Sequence, residues 1–93
     1  MAFSLKVAMT VEYRGSRSGI SSRSGNQWLT LVYETEESDQ ISVSVPNDMI
    51  SDVQSMHPIK GDMHNIIIRA VARADGNSYV MLQALPTLVG EDY

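Results

Sequence analysis

Asn47-Asp48-Met49-Ile50-Ser51-Asp52-Val53-Gln54-Ser55-Met56 is the stretch at which the period of this chain changes. Met49, Ile50, Val53 and Met56 recur at helical spacing, Asn47 can cap, and Asp48 stands in the first turn. Pro46 precedes the segment and His57-Pro58 ends it, so the reading is one short amphipathic helix, followed by a turn at Lys60-Gly61-Asp62. On both sides of it the apolar residues alternate. The fold therefore depends on how many strands lie before this helix and how many after.

Upstream there are three. From Phe3 to Tyr13 every odd residue is apolar, which is the pattern of a half-buried strand. Gln27 to Glu34 places Leu29, Leu31 and Tyr33 on one face and Trp28, Thr30 and Val32 on the other. After the acidic turn Thr35-Glu36-Glu37-Ser38-Asp39, Ile41, Val43 and Val45 alternate with serines until Pro46 stops the run. Downstream there are two. Asn65 to Arg73 turns Ile66, Ile68, Ala70 and Ala72 one way, and Ile67, Arg69, Val71 and Arg73 the other. Asp75-Gly76-Asn77-Ser78 reads as a hairpin turn, and Tyr79 to Leu85 as the last strand, ended by Pro86. A three-residue loop, Gly76 to Ser78, would set Ala72 opposite Leu82 and keep Gln83 off the small apolar face. There its unpaired amide would cost about 1–3 kcal/mol.

Strand, strand, strand, helix, strand, strand is the order of a mostly β, five-stranded OB-like antiparallel barrel with one short helix between strands 3 and 4. SH3-like barrels and a β-meander with one helix compete with it. The 93 residues suffice for one domain, spanning 1–93. Residues 14–26 read as a flexible Arg/Gly/Ser loop or the frayed ends of a hairpin, and residues 87–93 as a short acidic tail.

No apolar run approaches the roughly 20 residues of a membrane span, and no signal-peptide pattern opens the chain. Cysteine is absent, which removes disulfides and thiolate metal sites. A cytoplasmic location is the default expectation. The net charge of −4 hides an uneven distribution: residues 1–30 carry +3 and residues 31–93 carry −7. Local field matters more than the total when a charged ligand approaches.

Catalysis finds no constellation. No serine stands in a Gly-x-Ser-x-Gly elbow, and the glycine spacing misses the phosphate-loop pattern. His57 and His64 are separated by Pro58 and read as surface or capping residues. No enzyme activity, cofactor, metal or small-molecule substrate is expected.

Binding of single strands needs cations that track phosphates and flat side chains on which bases stack. Arg14, Arg17 and Arg23 lie just before Trp28. On an OB barrel the loops between strands 1–2 and 4–5 and the face of strands 2–3 add Thr30, Arg73 and Tyr79, and Arg69 shares the second face of the fourth strand with Arg73. These eight residues are the candidate nucleic-acid-binding set. A lone tryptophan also suits a core, although Leu29, Leu31 and Tyr33 already supply an apolar face of the opposite parity. Tyr13 and Tyr33 fall on the inward parity. The rival reading is a protein-interaction or assembly module, with exposed strand edges pairing to a partner and the acids at 34–39 meeting a basic surface.

Arg17-Ser18-Gly19-Ile20-Ser21 followed by Gly25-Asn26-Gln27-Trp28 resembles the DNA-binding wing of the small filamentous-phage single-stranded-DNA-binding proteins, which are OB folds. The resemblance covers about a dozen residues by motif and the rest by size and strand order. It implies phosphate contacts by Arg17 and Arg23, stacking by Trp28, a homodimer that coats the strand cooperatively, and a phage or plasmid origin.

Overall fold

A computed structural model describes residues 3–76 and 78–89. Strands β1 (Phe3–Ile20), β2 (Gln27–Glu34), β3 (Gln40–Ser44), β4 (Met63–Ala72) and β5 (Ser78–Leu82) form a single sheet, to which a two-residue β6 (Thr87–Leu88) adds. The spatial order is β1-β2-β3-β5-β4-β6, and an additional β1–β4 pairing closes the sheet into a five-stranded barrel. All pairings are antiparallel except the single parallel contact of β3 with β5 at Ser44 and Met81.

Between β3 and β4 lies the helical segment, as the change of period predicts. It is a 3-10 turn, Asn47–Met49, running into α1 (Ile50–Ser55). Asn47 does not cap it with its side chain. The segment follows directly from Pro46, whose φ of −58° suits entry to a helical turn. Ile50 and Val53 of α1 are buried and join Leu29, Leu31, Val43, Val45, Ile66, Ile68 and Leu82 in the core.

A cluster of three rings sits in the core. Tyr13 and His64 stack at 5.6 Å with 22° between planes, and Tyr33 meets both edge-on. His64 is 1% exposed, not a surface residue. The even parity of Ile66 and Ile68 on β4 carries it inward, and the Tyr33 hydroxyl lies 2.9 Å from its Nδ1. Burial, with the neighbouring Tyr13, raises the Tyr33 phenol well above its usual range, so it is a neutral partner. Nε2 of His64 has no hydrogen-bond partner among the described residues.

Burial lowers the His64 pKa, and the nearby charge of Asp62 opposes this only in part. Below the unfolded value of about 6.5 the unfolded chain therefore takes a proton that the folded chain refuses. Stability is expected to fall as pH drops from about 6.5 toward the lower folded value, and to be insensitive to this group above it. Urea unfolding at pH 7.5 and 5 should show a loss in the native chain that shrinks in His64→Gln and persists in His57→Gln, the exposed reference.

Three other expectations change. The first strand does not end at Tyr13. A bulge between Tyr13 and Gly15 lets β1 continue to Ile20 against β2, and only residues 21–26 remain as a loop. Gly15 takes φ +145°, which its missing side chain permits. The β4–β5 register places Ala72 opposite Ser78 and Ile68 opposite Leu82, so the connection is five residues, 73–77. The shift of four keeps every face as read. It carries Leu82 from the end of the sheet into full burial. Residue 77 of the predicted turn lies outside the described residues.

The last strand stops at Leu82. Beyond the buried Pro86 the chain docks on β4, with Leu88 opposite His64 and the Val89 amide donating to the Met63 carbonyl at 3.0 Å. The acidic residues that would form the rest of the tail, 90–93, lie outside the described residues. Among the described residues no helix is long and apolar enough to cross a membrane.

Candidate nucleic-acid interface

The bulge at Gly15 decides which face Arg17 takes. Before it, odd β1 residues point inward: Tyr13 pairs with Tyr33, and both are buried. After it, the register slips by one, and Ser16 and Ser18 pair with the core residues Leu31 and Leu29. Arg17 is thereby turned outward, opposite Thr30.

From Thr30 a continuous row of cross-strand neighbours runs around the barrel. Thr30 pairs with Ser44, Ser44 with Met81, Met81 with Arg69, and Arg69 with Lys6. Directly paired residues project from the same face, so Arg17, Thr30, Ser44, Met81, Arg69 and Lys6 form one outer stripe crossing all five barrel strands. At about 4.8 Å per strand interval, the stripe is roughly 24 Å long. It carries cations at both ends and hydroxyls and a thioether between.

Two aromatic rings flank the stripe. Trp28, 43% exposed, lies two residues from Thr30 and opposite Gly19. Its indole folds over that glycine: a Cβ added there would meet the ring at 2.9 Å. Tyr79, 38% exposed, lies two residues from Met81, with the Arg73 guanidinium 5.5 Å from its ring centre. The strand directions place Trp28 and Tyr79 on opposite sides of the stripe. Each ring is thus partly exposed, with Arg73 at Tyr79 and Arg17 diagonal to Trp28 across β1 and β2, an arrangement suited to stacking a base while a cation meets its phosphate.

The remaining arginines behave differently from one another. Arg23 stands exposed in the 21–26 loop, whose turn is held by the Ser21 amide donating to the Asn26 carbonyl and the Gly25 amide donating to the Ser21 carbonyl, both at 2.8 Å. Arg69 is partly anchored, donating to Gln83 Oε1 and Ser4 Oγ at 3.3 Å each. Arg14 is engaged locally, 2.6 Å from Glu12 and 3.5 Å from Glu34. Glu12 and Glu34 face each other across β1 and β2, a repulsive pairing that this guanidinium offsets. The hydrogen bond to Glu12 is the main reason that the Arg14 pKa is raised.

Of the eight residues picked from sequence, Arg17, Thr30 and Arg69 lie on the stripe and Trp28, Arg73 and Tyr79 beside it, while Arg23 is in the 21–26 loop at the tip of the arm that β1 beyond Gly15 and the start of β2 form, and Arg14 is in its own ion pair. Lys6, Ser44 and Met81 complete the stripe and were not picked. Lys6 occupies an outward parity position in the first strand, but only the β1–β4 register shows that it adjoins Arg69. Among the described residues no group of three or more His, Asp or Glu side chains could hold a metal ion.

The backbone matches a solved structure along nearly its whole length. A mitochondrial single-stranded DNA binding protein from S. cerevisiae superposes with a TM-score of 0.65, covering 96% of this chain and 97% of that one. The chain has an OB fold. Identity to that protein is 12%, so the two share a backbone plan rather than a set of side chains. No protein-family model matches this sequence, and no curated protein matches it by sequence.

Proposed function

We propose that this OB barrel binds single-stranded DNA without acting on it chemically. The outer stripe from Arg17 to Lys6 carries this reading: its cations track the phosphates, and Trp28 and Tyr79 offer base-stacking platforms on either side. The likeness to a protein described as binding single-stranded DNA supports the ligand class. Arg23, exposed in the 21–26 loop, adds a further cation for a phosphate beyond the stripe.

Trp28 is the only tryptophan and reports directly on contact. Titration with an unstructured pyrimidine oligonucleotide should quench its fluorescence strongly at 50 mM salt and progressively less as salt rises, because released counterions drive the association. Absence of any change at low salt, together with unshifted mobility of the oligonucleotide, would remove the proposal.

A further inference from the structure

We infer that the barrel carries a second, opposite-natured interface: a strand-addition groove for an extended basic segment of another protein. Its floor is the unpaired edge of β1. Residues 3–12 of β1 pair with β4 on one side, whereas the pairing with β2 starts only at Glu12. The other edge of residues 3–11 has no strand partner among the described residues.

The backbone groups on that edge can be identified. The Ile67 carbonyl accepts from the Gln83 amide at 2.8 Å, and the Met63 carbonyl from the Val89 amide at 3.0 Å. Odd-numbered β4 groups therefore face β5 and β6, and the even-numbered ones face β1. Their β1 partners are the odd residues Val7, Met9 and Val11. By alternation the N–H and C=O of Ala8 and Thr10 point away from β4, toward the free edge.

That edge opens into a groove whose far wall is the β2–β3 turn, with Glu36, Glu37 and Asp39 facing Ala8 and Thr10 across it. None of the three acids is in an ion pair among the described residues. A nucleic-acid backbone is repelled here. An extended polypeptide is suited to both walls: its amides extend the sheet along β1, and its lysines or arginines meet the carboxylates. Charge complementarity selects a basic segment, and the row of unpaired backbone groups selects an extended one.

The test uses the full chain and a fluorescein-labelled peptide of five Lys-Val repeats. Anisotropy should show saturable binding, and the amides of Ala8 and Thr10 should exchange with solvent more slowly when the peptide is present. Combining Glu36→Gln, Glu37→Gln and Asp39→Asn should weaken the peptide at least tenfold and leave oligonucleotide binding undiminished. A peptide of five Lys-Pro repeats, equal in charge but poor in donors, should also bind at least tenfold more weakly.

Failure to bind, or indifference to the triple substitution, would overturn the proposal. So would equal binding of the Lys-Pro peptide or unchanged exchange at Ala8 and Thr10, since charge alone would then suffice. Sedimentation showing that copies of the chain pair along this edge and exclude the peptide would overturn it as well. These outcomes are independent of whether the outer stripe binds DNA.

Discussion

Trp28→Ala is expected to weaken binding of an unstructured pyrimidine oligonucleotide by roughly 5–150-fold, the range corresponding to about 1–3 kcal/mol for one stacked base. The fold should tolerate the change, because the indole lies outside the barrel over Gly19, with 43% of the residue exposed. Equilibrium binding by mobility shift, paired with a urea melt, separates the two effects. Trp28→Phe keeps a smaller face and should recover part of the loss. Gly19→Ala provides a subtler probe, for its methyl would stand 2.9 Å from the ring and push the indole off the sheet without removing it. An intermediate loss is expected. If Trp28→Ala binds as the native chain does, Trp28 is not a stacking platform.

The second large effect is on salt dependence. Combining Lys6→Gln, Arg17→Gln and Arg69→Gln removes the cations of the outer stripe and leaves shorter, uncharged, polar side chains in their place. Each phosphate contact on a single strand contributes about 0.7 to the slope of log affinity against log salt, so the slope should flatten by about 2. Across a fourfold rise in salt, the gap between variant and native chain should narrow by about 20-fold. Arg14→Gln is the matched comparison. Its guanidinium is occupied by Glu12 and Glu34, so its removal should alter stability more than slope. An unchanged slope in the triple variant would mean that the strand follows another path.

Strand number, helix position and inward tyrosines were legible in the sequence because each rests on local periodicity. Leu29, Leu31 and Tyr33 alternate on β2 and are all buried; Val32, on the opposite face with Trp28 and Thr30, is buried as well and breaks the pattern. Relations that depend on register were not legible. The β4–β5 loop proved to be five residues rather than three, since the sequence shows that Leu82 is apolar but not that it must reach the core opposite Ile68. His64 was misplaced for a related reason. Its parity with Ile66 pointed inward, but a histidine is rarely buried without a partner, and the partner, Tyr33, is 31 residues away. The candidate site divided along the same line. Side-chain chemistry singled out arginines and aromatics by type, but Lys6, Ser44 and Met81 join them only through pairings between distant strands.

The bulge at Gly15 acts as a phase shifter between barrel and arm. Upstream of it, side-chain alternation is locked to the core; downstream, it is offset by one, and Arg17 follows the offset. The arm is therefore a cassette whose orientation is set at its base rather than by its contents. Hairpins of other lengths or charges, spliced in after Gly15, would present their odd positions to the same outer surface. Removing Ser16, beyond the bulge, would move Arg17 into its place opposite Leu31 and aim it at the opposite side, whereas removing Arg14, which has no β2 partner, would leave Arg17 opposite Thr30.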